Sequence, residues 1–111
     1  MRPNERIKEA QRVLEAEATA IFESSKKIDS NFSECVDLII KCEGTLIISG
    51  VGKSGNIGKK ITSTLASLGT PSIFLHTSDA FHGDLGILRK NDLLILISNS
   101  GETQELVRLL E

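Results

Sequence analysis

The chain has 111 residues, which is enough for one small domain or for part of a larger one. With 40% hydrophobic residues, 25% charged residues and a formal charge of −2, its composition is that of an ordinary globular protein. It lacks the basic excess typical of nucleic-acid binding, and its longest apolar run, Leu93 to Ile97, is too short to span a membrane. The first residues lead into a charged helical pattern, not into a signal peptide. We therefore expect a cytoplasmic protein without a nucleic-acid or membrane partner.

Two amphipathic helices are predicted before residue 44. Over residues 4–28, apolar side chains recur on one stripe: Ile7, Ala10, Leu14, Ile21 and Ile28. Asn31 and Glu34 then resemble a capping box that begins a second helix, which Gly44 should end as a C′ residue. We expect residues 1–43 to form a helical pair that packs on a sheet.

Residues 44–111 alternate between strand-like and helix-like patterns. Short apolar segments without alternation predict strands at 45–49, 72–76 and 92–98. Apolar residues at helical spacing predict a helix after the first strand, ended by residues 69–71, and another that begins at Thr103. This order predicts an α/β fold, a doubly wound parallel sheet with helices on both faces. Because the last helix is still running at residue 111, we expect the sheet to be incomplete.

The loop after the first predicted strand carries three glycines, Gly50, Gly52 and Gly55. Glycines let backbone amides approach an anion, and the following helix start supplies free N–H donors and a positive dipole end. Lys53 adds a charge and Ser54 adds a hydroxyl, so phosphate binding is the favoured interpretation. A tight turn without a ligand remains an alternative.

A nucleotide is a weaker alternative for the same loop. The glycine spacing satisfies G-x-G-x-x-G, but the carboxylate that would bind a ribose at the tip of the second strand is missing. That strand ends at His76 and Thr77, and the first acidic residue is Asp79. A P-loop is excluded because Ile47 stands where its first glycine belongs.

The loop after the third predicted strand is also polar and also opens a helix. It contains hydroxyl and amide side chains together with Gly101: Ser98, Asn99, Ser100 and Thr103. Such a set can bind phosphate oxygens through side chains and backbone N–H groups. Simple N-capping is the alternative, although one capping residue would suffice for it.

Two further titratable residues are candidates from their positions. His82, in the loop after the second predicted strand, could transfer protons near neutral pH, although a lone loop histidine more often has a structural role. Glu105 lies in the first turn of the last predicted helix, where a glutamate usually complements the helix dipole and faces water.

Three segments in this order, GVGKSGNIGKK, FHGDLG and SNSGET, resemble the sugar isomerase (SIS) domain, a flavodoxin-like α/β fold. Within it they are similar to the arabinose 5-phosphate isomerases, which interconvert D-ribulose 5-phosphate and D-arabinose 5-phosphate and supply the precursor of Kdo for lipopolysaccharide. The resemblance implies that Lys53, His82 and Glu105 act in catalysis. It also implies that the phosphate is held by a second set: Ser54, Ser98, Asn99, Ser100 and Thr103.

The resemblance further implies a pentose phosphate substrate, no cofactor or metal ion, and a homo-oligomer, dimeric or tetrameric. The family's further catalytic glutamate and histidine, and the two CBS modules of many members, would follow residue 111. We therefore expect the chain to be the N-terminal part of an isomerase domain, and whether it is active alone stays open. The alternative is a non-catalytic SIS module that senses or binds a sugar phosphate.

Overall fold

The structure, a computed structural model, describes residues 1–77 and 88–101. The chain divides into two compact units, Met1–Val36 and Asp37–Glu111. In the described residues it forms three helices and three strands, in this order: α1 (Pro3–Ser25), α2 (Ser30–Ile40), β1 (Leu46–Gly50), α3 (Lys53–Ser67), β2 (Ser72–Phe74) and β3 (Leu93–Ile97). Within the described residues, the predicted order of helices and strands is confirmed. The helix expected from Thr103 lies outside these residues.

Helix α1 begins where Pro3 favours it and ends three residues before the predicted limit. At its start the backbone N–H of Arg2 donates to Glu5 Oε2 (2.8 Å), and farther along Glu9 and Arg12 form an exposed ion pair. The apolar stripe is present on the helix, but α1 buries none of its residues. None of the described helices is long and apolar enough to cross a membrane.

The start of α2 differs from the prediction. Asp29 caps the helix, since its Oδ1 accepts the N–H of Asn31 (2.9 Å) and its carbonyl accepts the N–H of Phe32 (3.1 Å). The proposed capping box on Asn31 and Glu34 is therefore wrong by two residues. The capping signal in the sequence was Asp29 itself, which follows the apolar stripe of the first helix.

The end of α2 also differs. The helix stops at Ile40, and Gly44 lacks the positive φ of a C′ glycine. The N–H of Gly44 instead donates to the Asn91 carbonyl (3.1 Å), and a Cβ on Gly44 would lie 2.6 Å from that oxygen. Gly44 is thus required by close packing beside the sheet, not by the end of a helix.

The three strands form one parallel sheet in the order β2-β1-β3. Every residue of β1 is buried, as expected for a central strand that is apolar from Leu46 to Ile48, and the side chains of β3 are half-buried. Ile47 and Leu75 form the buried core on one face of the sheet, and Leu88 and Leu94 pack against them. Helix α3 covers the other face.

Helix α3 packs on the sheet through small residues. Its buried positions are Gly55, Gly58 and Thr62, which recur at helical spacing along one side. A Cβ on Gly58 would lie 3.1 Å from the Phe74 ring and 3.2 Å from Ile48 Cγ2, so only glycine leaves room for these side chains without a shift. Of the apolar residues whose spacing predicted this helix, Ile57 and Ile61 are exposed on α3 and Leu68 is exposed just after its end, whereas Leu65 is half-buried.

At the amino ends of the strands, Asp92 joins the start of β1 to the turn that precedes β3. Its Oδ1 accepts the N–H of Thr45 (2.8 Å) at the start of β1, and its Oδ2 accepts the N–H of Arg89 (2.9 Å). The hydrogen bond from Thr45, and next that from Arg89, lower the pKa of Asp92 below the ordinary value for aspartate.

Replacing Gly55 by Ala should destabilise the protein, because the new methyl group would lie 2.7 Å from the Gly50 carbonyl oxygen, a backbone atom. We expect a loss of about 1–3 kcal/mol from overpacking, which exceeds the roughly 1 kcal/mol that alanine gains over glycine inside a helix. The measurement is urea unfolding followed by circular dichroism. Ser63→Ala, on the exposed side of α3, is the matched control and should change stability by less than about 0.5 kcal/mol. Equal stability of Gly55→Ala and the native protein would contradict the close packing.

Asp92→Asn should destabilise the protein at neutral pH and have a smaller effect in acid. Because the pKa of Asp92 is lowered by folding, the carboxylate contributes stability above the ordinary aspartate pKa of about 4, and this is lost as pH falls through the lower folded value. Thermal unfolding midpoints of the two proteins should therefore converge below about pH 4. Asp37→Asn, at an exposed position, is the control. A constant difference across the pH range would show that the carboxylate charge is not involved.

Candidate active site

The order of the strands places the two polar loops beside each other. The chain passes from β1 to β2 on one side of β1, and then crosses back to β3 on the other side of β1. Ligands in open α/β sheets bind at such a reversal, outside the carboxyl ends of the strands. The crevice lies between the loops after β1 and β3, which are the two loops that the sequence indicated.

The glycine loop turns the chain from β1 into α3 within two residues. Gly52 has φ 61° and ψ −127°, a conformation that side chains other than hydrogen rarely allow. Gly50 and Gly55 bring strand and helix into backbone contact, since a Cβ on Gly50 would lie 3.0 Å from the nitrogen of Gly55. The three glycines therefore have distinct geometric roles, and together they hold the amino end of α3 close to the end of β1.

The amino end of α3 has unused hydrogen-bond donors. No side chain caps it, and the first backbone donors with partners are the N–H groups of Gly55 and Asn56. Among the described residues, the N–H groups of Lys53 and Ser54 have no acceptor. The Lys53 side chain is exposed and that of Ser54 is half-buried. Two free N–H groups, a cation and a hydroxyl at a helix amino end form an anion-binding arrangement.

The loop after β3 is shaped by Ser98. Its Oγ accepts the N–H of Gly101 (2.9 Å), and Gly101 itself has φ 73°. This contact is of the capping type that the sequence left as an alternative. Asn99 and Ser100 are exposed in the same loop. The structure thus brings Ser54, Lys53 and this loop to the same edge of the sheet.

Three predicted site residues, His82, Thr103 and Glu105, lie outside the described residues. Their roles stay predictions.

A polar group near this edge was missed by the sequence interpretation. Ser49, which precedes Gly50 in β1, is fully buried, and its Oγ has no hydrogen-bond partner in the part of the chain that the structure describes. A buried hydroxyl without a partner costs free energy, so the position is not optimised for stability. The only signal was a serine ending an otherwise apolar strand.

A second recess, of about 320 Å³, lies at the opposite, amino edge of the sheet. It is lined by residues at the starts of the strands and by one face of the sheet: Gly44, Thr45, Ile47, Ile73, Arg89 and Asp92. The Asp92 carboxylate there already accepts two backbone hydrogen bonds. Because ligands of such sheets bind at the carboxyl edge, we do not assign the active site to this recess.

Parallel topology, a glycine turn into an uncapped helix and a second polar loop across the strand reversal define an α/β domain with an anion-binding arrangement at the carboxyl edge of its sheet. The SIS domain model matches residues 39–111. The chain belongs to the SIS domain family.

The chain is similar to several isomerases over most of its length. It is 50% identical over 104 residues to a probable arabinose 5-phosphate isomerase of Haemophilus influenzae, covering 94% of this chain and 31% of that protein. It is 43% identical to arabinose 5-phosphate isomerase KdsD of Pseudomonas aeruginosa, covering 94% of this chain and 32% of that protein. The chain thus spans about a third of the length of these relatives.

Solved structures share the fold. The protein c3406 of Escherichia coli CFT073, solved in complex with arabinose 5-phosphate, matches with a TM-score of 0.93 and 41% identity over 99% of this chain and 58% of that chain. A phosphosugar isomerase assigned to capsule formation in Bacteroides fragilis matches with a TM-score of 0.87 and 44% identity, over 95% of this chain and 56% of that chain. The predicted SIS fold is confirmed.

Ser98→Ala should loosen the loop after β3, because the Gly101 N–H would lose its acceptor. Losing a capping acceptor costs about 1 kcal/mol, which corresponds to roughly fivefold faster amide exchange at Gly101 if that amide exchanges by local opening. Hydrogen exchange followed by NMR measures this rate. Ser98→Thr keeps the hydroxyl and is the control, with a rate close to that of the native protein. Unchanged exchange in Ser98→Ala would contradict the role of this hydroxyl.

Proposed function

We propose that the chain is the N-terminal part of the SIS domain of an aldose–ketose isomerase that interconverts D-ribulose 5-phosphate and D-arabinose 5-phosphate. The observation that carries the proposal is the uncapped amino end of α3, with free N–H groups on Lys53 and Ser54 at the strand reversal. The names of the relatives, and the arabinose 5-phosphate in the complex of the c3406 protein, support this substrate class.

In the proposed complex, the substrate phosphate lies between the two loops. The N–H groups and hydroxyl at the start of α3 donate to its oxygens, and the helix dipole favours its charge. Ser98, Asn99, Ser100 and Thr103 complete the set from the other side of the crevice. Fixing the phosphate leaves the carbonyl end of a short sugar chain in a defined position, which reduces the entropy cost of reaction.

Isomerisation moves one proton between two neighbouring carbons. A base removes the proton from the carbon beside the carbonyl, which leaves an enediolate, and the proton is then returned to the former carbonyl carbon, while the hydroxyl proton moves from one enediol oxygen to the other. Lys53 lies at the start of α3, where the N–H groups proposed to bind the phosphate are found, and its side chain is exposed. Its ammonium is the group proposed to stabilise the enediolate oxygen. His82 and Glu105 are proposed to carry the proton.

Three finer statements belong to the same proposal. The product would feed synthesis of Kdo for lipopolysaccharide, and the enzyme would work in the cytoplasm on a pentose phosphate. It would also be a homo-oligomer, a dimer or a tetramer. Exposed apolar side chains on α3 and just after it support association, because Ile57, Ile61 and Leu68 are 56%, 38% and 76% exposed.

The test of the proposed function uses the complete gene product that contains this chain, with ribulose 5-phosphate as substrate and NMR detection of arabinose 5-phosphate. Lys53→Met should lower kcat by about a hundredfold or more, because an oxyanion donor is lost. Lys60→Met, at another exposed lysine of the same helix, is the matched control and should leave kcat unchanged. Absence of turnover in the native protein would refute the enzyme and favour a sugar-phosphate sensor if binding remained.

Two further variants separate binding from chemistry. Ser100→Ala should weaken binding of arabinose 5-phosphate, whereas Glu105→Gln should preserve binding and reduce turnover. Isothermal titration calorimetry gives the affinities and the same NMR assay gives the rates. An equal loss of affinity in both variants is incompatible with the proposed division of roles.

A further inference from the structure

The tip of β2 lies beside the glycine loop and presents a histidine there. Phe74 pairs with Ile48, and the N–H of Leu75 donates to the Ile48 carbonyl (2.9 Å), so the pairing with β1 continues past β2. On this register His76 is level with Gly50, the last residue of β1. A dinucleotide-binding fold places at this position the side chain that binds a sugar hydroxyl of its ligand.

The direction of the His76 side chain follows from its neighbour on the strand. Residues two apart on a strand share a face, and the Phe74 ring lies on the α3 side, against the backbone of Gly55 and Gly58. The imidazole contacts this ring edge-to-face, with centroids 4.9 Å apart and an interplanar angle of 88°. Because the histidine lies one pleat beyond Phe74, it stands level with the first turn of α3.

The contact with Phe74 orients the imidazole without using its nitrogen atoms. His76 is exposed, and neither ring nitrogen has a hydrogen-bond partner among the described residues. A neutral imidazole offers one donor and one acceptor, which matches a hydroxyl group, itself a donor and an acceptor. Phosphate oxygens only accept, and the amino end of α3 already offers them donors.

We propose that His76 is a specificity-determining residue that hydrogen-bonds a hydroxyl of the sugar whose phosphate is held at the amino end of α3. The inference rests on the proposed function, because it needs a sugar phosphate in that place. In dinucleotide-binding folds, a carboxylate at the tip of the second strand binds a sugar hydroxyl. In this protein the imidazole of His76 takes the place of that carboxylate. The Phe74 ring packs against the glycines of α3, and Phe74 is therefore the positioning residue for His76.

The test compares two ligands in the complete gene product: arabinose 5-phosphate, which has hydroxyl groups, and inorganic phosphate, which lacks the sugar. His76→Phe keeps an aromatic ring beside Phe74 but removes the donor and the acceptor. It should weaken arabinose 5-phosphate binding about tenfold and leave phosphate binding unchanged. His76→Gln restores a donor and an acceptor and should recover part of the affinity. Calorimetry supplies the affinities, and thermal unfolding shows whether each variant is folded.

Other outcomes would overturn the inference. If His76→Phe binds arabinose 5-phosphate as the native protein does, His76 does not contact the sugar. If it weakens both ligands by the same factor, the histidine acts on the phosphate or on the fold, not on a hydroxyl. In either case, the proposed function stands if the native protein binds both inorganic phosphate and the sugar phosphate. Native protein that binds neither ligand would refute both proposals together.

Discussion

The backbone contact between β1 and α3 is the constraint on which the site depends. Only Val51 and Gly52 separate the strand from the helix, and Gly55 approaches the Gly50 carbonyl so closely that a methyl group would collide with it. This contact fixes where the first turn of α3 begins. A bulkier residue at either glycine would move the helix outward and carry its free N–H groups away from the crevice. Packing and the proposed binding of the phosphate therefore depend on the same pair of glycines.

The two edges of the sheet use their polar groups differently. At the amino edge, the carboxylate of Asp92 accepts hydrogen bonds from Thr45 and Arg89, so donors there are paired within the protein. At the carboxyl edge, within residues 1–77 and 88–101, the N–H groups of Lys53 and Ser54 and the buried hydroxyl of Ser49 have no hydrogen-bond partner. Unpaired polar groups reduce stability and are tolerated where a ligand can pair with them. This asymmetry supports the proposed site at the carboxyl edge by an argument that does not depend on any sequence motif.

Local signals predicted the strands, helices and loops, because each depends on a few adjacent residues. The glycine that ends α3, for example, has φ 93° as expected at Gly69. Features that depend on distant contacts were not predictable. The buried side of α3 is formed by Gly55, Gly58 and Thr62, which give no hydrophobic signal, and the role of Gly44 depends on residues near Asp92. The position of His76 beside the glycine loop likewise required the strand register.

Helix α3 has small residues on its inner side and apolar residues on its outer side. A helix that approaches a sheet through glycines has no need of large apolar side chains on that side, so Ile57 and Ile61 point elsewhere. In water these side chains would expose apolar area at a cost of about 25 cal/mol per Å². Association with another surface would recover this free energy, which gives the proposed oligomer a physical basis. Helix α3 therefore combines close packing at the proposed site with exposed apolar side chains on its outer side.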